Sequence, residues 1–393
     1  MTGNQDQASL HVQPERVVLS GVPRVGFQAE PGHDAQTMPF PACLTACLDY
    51  LGDGMGTREF DWRDSHWQQS NTYTYLLGVT GAAFRLSWRP GWHLDNVEIM
   101  YMSDEPTAPF ERAFESVGRE YEFLMPQEGS DNRAYWLERI AESVRDLGRP
   151  VLVFGVVGPP ECCIVAGYDE GGDVLVGWSF FQHFPEFNQG VEFEPNGYYR
   201  KRDWFENTQT PLILGDRRER PPLREIYCRA LRWALHVVRT PETTAYHAPR
   251  HNGLAAYQAW ADHLAMSDEF AAGDLKELWE RYMVHNDAVG LVAEGRWYAA
   301  TFLRKLVADE PVAADEPAVA EPLLAAAAKY EAEHDLMWQI WHLTGGMGFS
   351  DHHVHKLADP AVRSQIVPII LQARDLDAAA ADDIERAVGM LCD

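Results

Sequence analysis

The clearest pattern of hydrophobic and polar positions lies between Leu147 and Gln182. An unbroken apolar run begins this stretch and is rich in β-branched residues, which is typical of a strand buried on both faces. Turns rich in Gly and Pro interrupt the stretch twice, so it is expected to form two or three buried strands that pair as neighbours. The predicted strands are residues 151–157, 161–167 and 174–178.

Helical periodicity appears in several places, including residues 111–117 and 132–147. Before the strands, Pro39-Phe40-Pro41 leads into a helix over Ala42–Leu51, with Leu44, Cys47, Leu48 and Leu51 on one stripe. After the basic, proline-marked segment 216–222, nearly every stretch repeats apolar residues every three to four positions. The helices expected there are 223–238, 253–264, 274–284, 291–307, 323–343 and 360–373.

The order of these patterns predicts a two-domain chain of the α+β class. Residues 1–15 are polar and are expected to form a disordered tail. Residues 16–220 carry an early helix and a later antiparallel sheet, and residues 221–393 form an all-helical domain. A length of 393 residues is enough for two substantial hydrophobic cores.

The net charge of the chain limits the kinds of molecule that it is expected to bind. The net charge of −26 argues against nucleic acids and anionic membranes, which both require a basic face. No apolar run approaches the length of a bilayer span, and the polar start does not look like a secretory signal. We therefore expect a cytoplasmic protein that acts on a small molecule, with a homodimer possible. Its six cysteines contain no Cys-x-x-Cys pair, so structural disulfides are not expected.

Three residues are candidates for catalysis. Cys43 lies at the start of the predicted early helix, where the helix dipole and backbone N–H groups would lower its pKa. The alternative is a buried, unreactive thiol. Glu161 and Cys163 share one face of the second strand, and Cys162 takes the other. A carboxylate in this apolar sheet must be paired, protonated or facing a cleft, and in a cleft it could act as a general base.

Other residues are candidates for the wall of a substrate pocket. Gly78 and Gly81, in the Gly-Val-Thr-Gly segment, would let the backbone approach a ligand or another helix. Trp92 and Trp178 are large flat side chains that suit either a pocket wall or the core.

A metal site is a further alternative, although no cofactor is the main expectation. Glu294 on one predicted helix and Glu331 with His334 on another supply half of a di-iron carboxylate set, and His285 could complete a mononuclear transition-metal site. A hydrogen-bonded polar layer between helices explains the same residues more simply. His352, His353 and His355 are expected in a surface loop.

Three segments resemble the papain-like fold: PACLTACLDYLG (41–52), LLGVTGAAF (76–84) and GRPVLVFG…IVAGYD (148–169). The pattern is similar to that of bacteriocin-processing cysteine peptidases and of the amino-terminal domain of the butirosin-biosynthesis acyltransferase. The resemblance implies a nucleophilic Cys at the helix start, a His base before the Gly-Tyr-Asp strand, and an Asp or Asn that orients the His. Here Glu161 stands at the His position, 177–179 (Gly-Trp-Ser) at the orienting position, and Cys43 is out of register.

The resemblance, together with the positions at which this chain differs from the family pattern, leaves two functions open. The first is an acyltransferase or amide hydrolase with a degenerate site, acting on a small acyl, amide or amino-acid-like molecule, in which Cys43 is the nucleophile, Glu161 is the general base and the helix start receives the oxyanion. The second is a catalytically inactive binding or scaffold protein of the same fold. A metal-dependent enzyme that uses the helical domain is the third possibility.

Overall fold

The computed structural model describes residues 15–28, 33–62, 65–244, 248–271, 274–311 and 316–392. The predicted tail lies outside these residues except for Glu15. The chain combines α and β structure and its carboxy-terminal region is helical, as the sequence predicts. No helix in the described residues has both the length and the apolar character needed to cross a membrane.

The described residues pack as two compact units. The first comprises Met1–Gly56, Asp61–Trp67 and Tyr121–Asp216, and the second comprises Thr57–Phe60, Gln68–Glu120 and Arg217–Asp393, in each case as far as they are described. The sequence predicts a boundary at residue 220, close to Arg217, where the chain enters the second unit for the last time. It also assigns residues 68–120 to the first domain. These residues pack with the helices of the second unit instead.

An eight-stranded sheet forms the centre of the first unit. Its strands from edge to edge are β5 (Arg119–Phe123), β11 (Thr210–Arg217), β6 (Val151–Phe154), β7 (Cys162–Asp169), β8 (Val174–Trp178), β10 (Tyr199–Lys201) and β9 (Val191–Phe193). The short β1 (Val17–Val18) pairs with β7. The three strands predicted around residues 151–178 are confirmed, and they pair antiparallel as neighbours.

Helices flank this sheet. The first unit contains α1 (Pro39–Tyr50), α4 (Asn132–Ala141) and the short α5 (Trp204–Asn207). Asp131 caps α4 by accepting a hydrogen bond from the Ala134 N–H at 3.0 Å. On one face of the sheet, Trp136 and Ile140 of α4 pack with Val151 and Cys163. The helix α1 packs against β6 and β7.

The second unit is a helical assembly with one small sheet. Its helices are α2 (Asn71–Thr80), α3 (Ala108–Val117), α6 (Leu223–Arg239), α7 (Leu254–Ala265), α8 (Leu275–Asp309), α9 (Pro317–Thr344), α10 (Asp351–Ala358) and α11 (Pro360–Leu391). The small sheet has the order β12 (Glu242–Thr243), β13 (Arg250–Asn252) and β4 (Ser87–Trp88). A separate ribbon, of which residues 61–67 are assigned to the first unit, pairs β2 (Thr57–Trp62) with β3 (Ser65–Ser70).

Two sequence predictions about this unit are wrong. The loop expected around His352 is the helix α10, which begins at Asp351 after Ser350. A disulfide, which was not expected, joins Cys228 of α6 to Cys392, with a Cα–Cα distance of 5.5 Å. These two cysteines are 164 residues apart in sequence, so only the packing of α6 on α11 brings them together.

Candidate functional site

The start of α1 does not provide the row of free N–H groups that an oxyanion site needs. The helix begins at Pro39, three residues before the predicted start, and Pro39 and Pro41 have no N–H. The N–H of Ala42 donates to the carbonyl of Met38 at 3.1 Å. Cys43 is therefore the fifth residue of the helix rather than a first-turn residue, and the predicted oxyanion site at the helix start is wrong.

The Cys43 thiol is buried completely, with 0% exposure. It donates to the carbonyl oxygen of Cys162 at 3.3 Å. Burial raises the pKa of Cys43 well above its usual range, and the nearby Cys162 side chain raises it further. The expectation of a lowered pKa is wrong, because in this packing desolvation outweighs any effect of the helix dipole.

Cys163 lies on a different face of the sheet from Cys43. Cys163 belongs to the core cluster under α4, and its thiol donates to the carbonyl of Val157 at 3.7 Å. Burial raises the pKa of Cys163 to about 11. Glu161 lies just before β7, and its carbonyl accepts from the N–H of Gly155 at 3.1 Å. Since side chains alternate along a strand, Cys163 points away from the face on which Cys43 meets Cys162.

The predicted pocket-wall residues have structural roles. Gly78 and Gly81 belong to the second unit: a Cβ on Gly78 would lie 2.1 Å from the ring of Phe302, and Gly81 ends α2 in a left-handed conformation, with φ of 84°. The indole N–H of Trp92 donates to Glu269 in the same unit. In the first unit, the indole N–H of Trp178 donates to the carbonyl of Val22 at 3.0 Å.

The four predicted metal ligands are engaged with other groups. The Glu331 carboxylate pairs with Arg304 through two hydrogen bonds. Glu294 accepts from the hydroxyl of Tyr73 at 2.6 Å. In His334, Nδ1 lies 2.8 Å from the carbonyl of Ala293, and Nε2 accepts from the indole of Trp338 at 3.0 Å. Across the described residues, no group of three or more His, Cys, Asp or Glu side chains is arranged to hold a metal ion.

The fourth predicted ligand, His285, is a core residue of α8. Its side chain is 1% exposed, and its Nδ1 accepts from the indole N–H of Trp260 at 3.1 Å. Its Nε2 has no hydrogen-bond partner among the described residues. Burial lowers the pKa of His285 to about 3, so the ring is neutral at physiological pH.

A buried charge cluster in the second unit was not predicted. The guanidinium of Arg296 lies 2.7 Å from Asp377 and 3.2 Å from Glu333, and all three side chains have 0% exposure. Tyr257 donates a hydrogen bond to Glu333. Burial raises the pKa of Glu333 well above its usual range. The sequence pattern singled out Glu331 and His334, but the residue that α9 buries is Glu333, between them.

A polar cleft lies beside α1 in the first unit. Its volume is about 140 Å³. One wall is a face of α1, and the other is formed by residues of 23–28 and 33–36. The lining residues are Pro23, Arg24, Val25, Gly26, Gln28, His33, Asp34, Gln36, Ala42, Thr45, Ala46 and Asp49. None of the site residues predicted from the sequence lines this cleft.

A larger depression of about 430 Å³ runs along α7 in the second unit. Its lining residues come from one face of α7, apart from His251 of β13 and Met266, which follows the end of α7. A face formed almost entirely by one helix has no opposite wall that could enclose a small molecule. The cleft beside α1 is therefore the better candidate for a ligand site.

Comparison with known proteins adds no assignment. Neither a protein-family model nor a curated protein sequence matches this chain.

Proposed function

We propose that the first unit is a catalytically inactive, papain-like domain that binds a small molecule. The observation that carries this proposal is the burial of Cys43, whose thiol donates to the Cys162 carbonyl and has a raised pKa. A nucleophilic cysteine must be accessible and partly ionised near neutral pH. Cys43 meets neither condition.

The arrangement of α1 on the sheet supports the papain-like part of the proposal. The helix that carries the candidate cysteine packs on β6 and β7, the strands in which the resemblance was found. The start of β7, next to the position where that family has a histidine, holds a buried Cys162 in contact with Cys43. A framework of this kind, with buried thiols at its centre, favours a domain that keeps the papain-like fold without the catalytic activity.

Our proposal and the catalytic alternative make opposite predictions about the reactivity of the cysteines. We expect Cys43, Cys47, Cys162 and Cys163 to remain unmodified by iodoacetamide between pH 6 and pH 9 in the folded protein, because all four are buried. All four should react after denaturation. Peptide mass mapping measures this residue by residue. The variant Ser130→Cys places a thiol at an exposed position of the same unit and serves as the reactive control.

Fast alkylation of Cys43 at neutral pH, slowed by Glu161→Gln, would overturn the proposal in favour of an acyltransferase or hydrolase. Binding is tested separately, by thermal denaturation in the presence of small acyl, amide and amino-acid compounds. We expect one of these classes to raise the melting temperature, since a ligand that binds only the folded state stabilises it. If none does so at millimolar concentration, the binding function is wrong.

A further inference from the structure

The buried charge cluster of the second unit joins four helices and one connecting segment. Arg296 lies on α8, Glu333 on α9 and Asp377 on α11, and the hydroxyl of Tyr257 on α7 contacts all three. The guanidinium of Arg296 also donates to the carbonyl of Ala83, at 2.7 Å, in the segment that follows α2. We call these five residues the helix junction, because a change of charge there acts on all of these elements at once.

The charges of the helix junction do not balance when both acids are ionised. Two carboxylates, Glu333 and Asp377, face the guanidinium of Arg296, and all three side chains have 0% exposure. Lys329, one turn earlier on α9, does not compensate for the second carboxylate, since it pairs with Asp383. A net negative charge that is shielded from water is costly, and the uptake of one proton removes it.

The contacts indicate that Glu333 holds this proton. Each of the two carboxylates has one oxygen without a hydrogen-bond partner among the described residues. Asp377 accepts a hydrogen bond from the guanidinium at 2.7 Å, whereas Glu333 lies 3.2 Å from Nε of Arg296, which makes no hydrogen bond. Glu333 is therefore the acid with the weaker contact to the cation. Burial raises the pKa of Glu333 well above its usual range, which agrees with this assignment.

The other groups that face Glu333 keep their charge state near neutral pH. They are Tyr257 of α7, Arg296 of α8, Asp377 of α11 and, on α9 itself, Tyr330. Burial raises the pKa of both tyrosines well above the usual range, so the two phenols stay neutral. A guanidinium keeps its charge in proteins. A change of pH in the range from 5 to 9 therefore acts on the helix junction through its two carboxyl groups.

We propose that the helix junction is a proton-dependent conformational switch: Glu333 carries a proton in the folded protein, and release of that proton loosens the contacts of α8, α9 and α11. The proton is taken from solvent when the unit folds and returns to solvent when the junction opens, so no other reactant is needed. This inference concerns the second unit and is independent of the binding function proposed for the first.

The pH dependence of unfolding tests the proton on Glu333. Because folding raises the pKa of this carboxyl, its stabilising effect is complete below the unfolded value of about 4.5 and is lost as the pH rises through the folded value. Glu333→Gln has a neutral side chain at every pH and should escape this loss. From pH 5 to pH 7 the folding equilibrium constant of the wild type should therefore fall about tenfold or more relative to that of Glu333→Gln.

Denaturant titrations at each pH supply these constants. Both proteins retain His285, so its titration cancels in the comparison. Glu321→Gln is the control, because it makes the same replacement at an exposed position of α9. Parallel pH profiles for the wild type and Glu333→Gln would overturn the proposal.

Infrared spectroscopy of the folded protein detects the proton without a substitution in the helix junction. At pH 7 the Asp287→Asn protein should show the carbonyl band of a neutral carboxylic acid. Asp287 is replaced because burial raises its pKa to about 7, so its own carboxyl would contribute to the same band. The band should disappear when Glu333→Gln is added. Its absence from Asp287→Asn, or its persistence in the double variant, would show that Glu333 does not carry the proton.

Hydrogen exchange tests the opening of the junction. At pH 9 the backbone amides around Glu333 and Asp377 should exchange about tenfold faster, or more, in the wild type than in Glu333→Gln, because only the wild type has lost the proton. At pH 5 the two proteins should exchange at the same rate, since both side chains are then neutral. Equal exchange at both pH values would show that the proton does not hold these helices together, and the switch would be wrong.

Discussion

At the scale of single residues, burial decides the chemistry of the ionisable groups. Cys43, Cys163 and Glu333 all have a raised pKa, and in each of them desolvation is the main cause. The sequence shows the residue type and its position on a helix or strand, but not how completely the neighbours exclude water. For this reason the thiols could be chosen as candidates from sequence, while the direction of the Cys43 pKa shift could not.

His285 provides a test of this principle. Its folded-state pKa of about 3 lies below the usual 6.5 because the ring is buried. Its contribution to stability is therefore complete above pH 6.5 and is lost as the pH falls towards 3, since the unfolded chain takes up the proton first. Between pH 7 and pH 5 the wild type should lose about 2 kcal/mol more than His285→Gln, at 1.36 kcal/mol per pKa unit.

Denaturant unfolding at a series of pH values measures this difference. Glutamine cannot take up the proton and still offers an acceptor to the indole of Trp260. His355→Gln is the control, because it makes the same replacement at an exposed position of α10. A His285→Gln protein with the same pH dependence as the wild type would contradict the assignment of a buried neutral ring.

At the scale of elements, the sequence predicts best where one periodicity runs without interruption. The apolar strands β6, β7 and β8 and the helix α6 were found within a few residues. The two helices expected at 274–284 and 291–307 are one helix, α8, because polar residues such as Asn286 and Asp287 are accommodated within it. Local pattern identifies these elements, but tertiary contacts determine where a long helix stops.

The cleft beside α1 illustrates the same limit. The spacing of Ala42, Thr45 and Asp49 is visible in the sequence, but small and polar residues at this spacing are also typical of an ordinary solvent-facing helix surface. The cleft forms because residues of 23–28 and 33–36 lie opposite this face of α1. The site therefore depends on a contact between elements that no local pattern encodes.

Gly78 tests whether a glycine serves helix packing rather than a ligand. In Gly78→Ala the new methyl group would meet the ring of Phe302 on α8, so we expect a loss of about 1–3 kcal/mol in the free energy of unfolding. Gly290→Ala is the matched control within α8, because the nearest atom to its new methyl group is 4.0 Å away. It should gain up to about 1 kcal/mol from helix propensity. A Gly78→Ala protein as stable as the wild type would argue against packing as the role of this glycine.

At the scale of the whole molecule, the need to bury particular helices determines which segments of the chain belong to each unit. The helix α2 is buried over residues 72–80 and packs on α3, α6 and α8. A helix that is buried on all sides must be surrounded by other elements, and two of the helices around α2, α6 and α8, come from much later in the chain. A boundary chosen from local composition near residue 220 could not show that residues 68–120 pack with the carboxy-terminal helices.

The disulfide between Cys228 and Cys392 is also a property of the whole molecule. Arg224 donates two hydrogen bonds to the carbonyl of Leu391, at 3.0 Å and 2.6 Å, so the end of α11 is held on α6 by polar contacts as well. A link that closes a loop of 164 residues lowers the entropy of the unfolded chain and stabilises the fold by up to about 5 kcal/mol. The expected cytoplasmic location would oppose such a bond, because thiols there are kept reduced.

Counting the free thiols shows whether the disulfide between Cys228 and Cys392 is present in the protein. In denaturant without a reductant, the protein should titrate four thiols, and after reduction six. Reduction, or Cys392→Ser, should lower the melting temperature, whereas Cys47→Ser leaves the disulfide intact and should keep the difference between the oxidised and reduced forms. Six thiols in unreduced protein purified under air would show that α6 and α11 are held by packing and the Arg224 contacts alone. Four thiols would instead show that the disulfide between Cys228 and Cys392 forms.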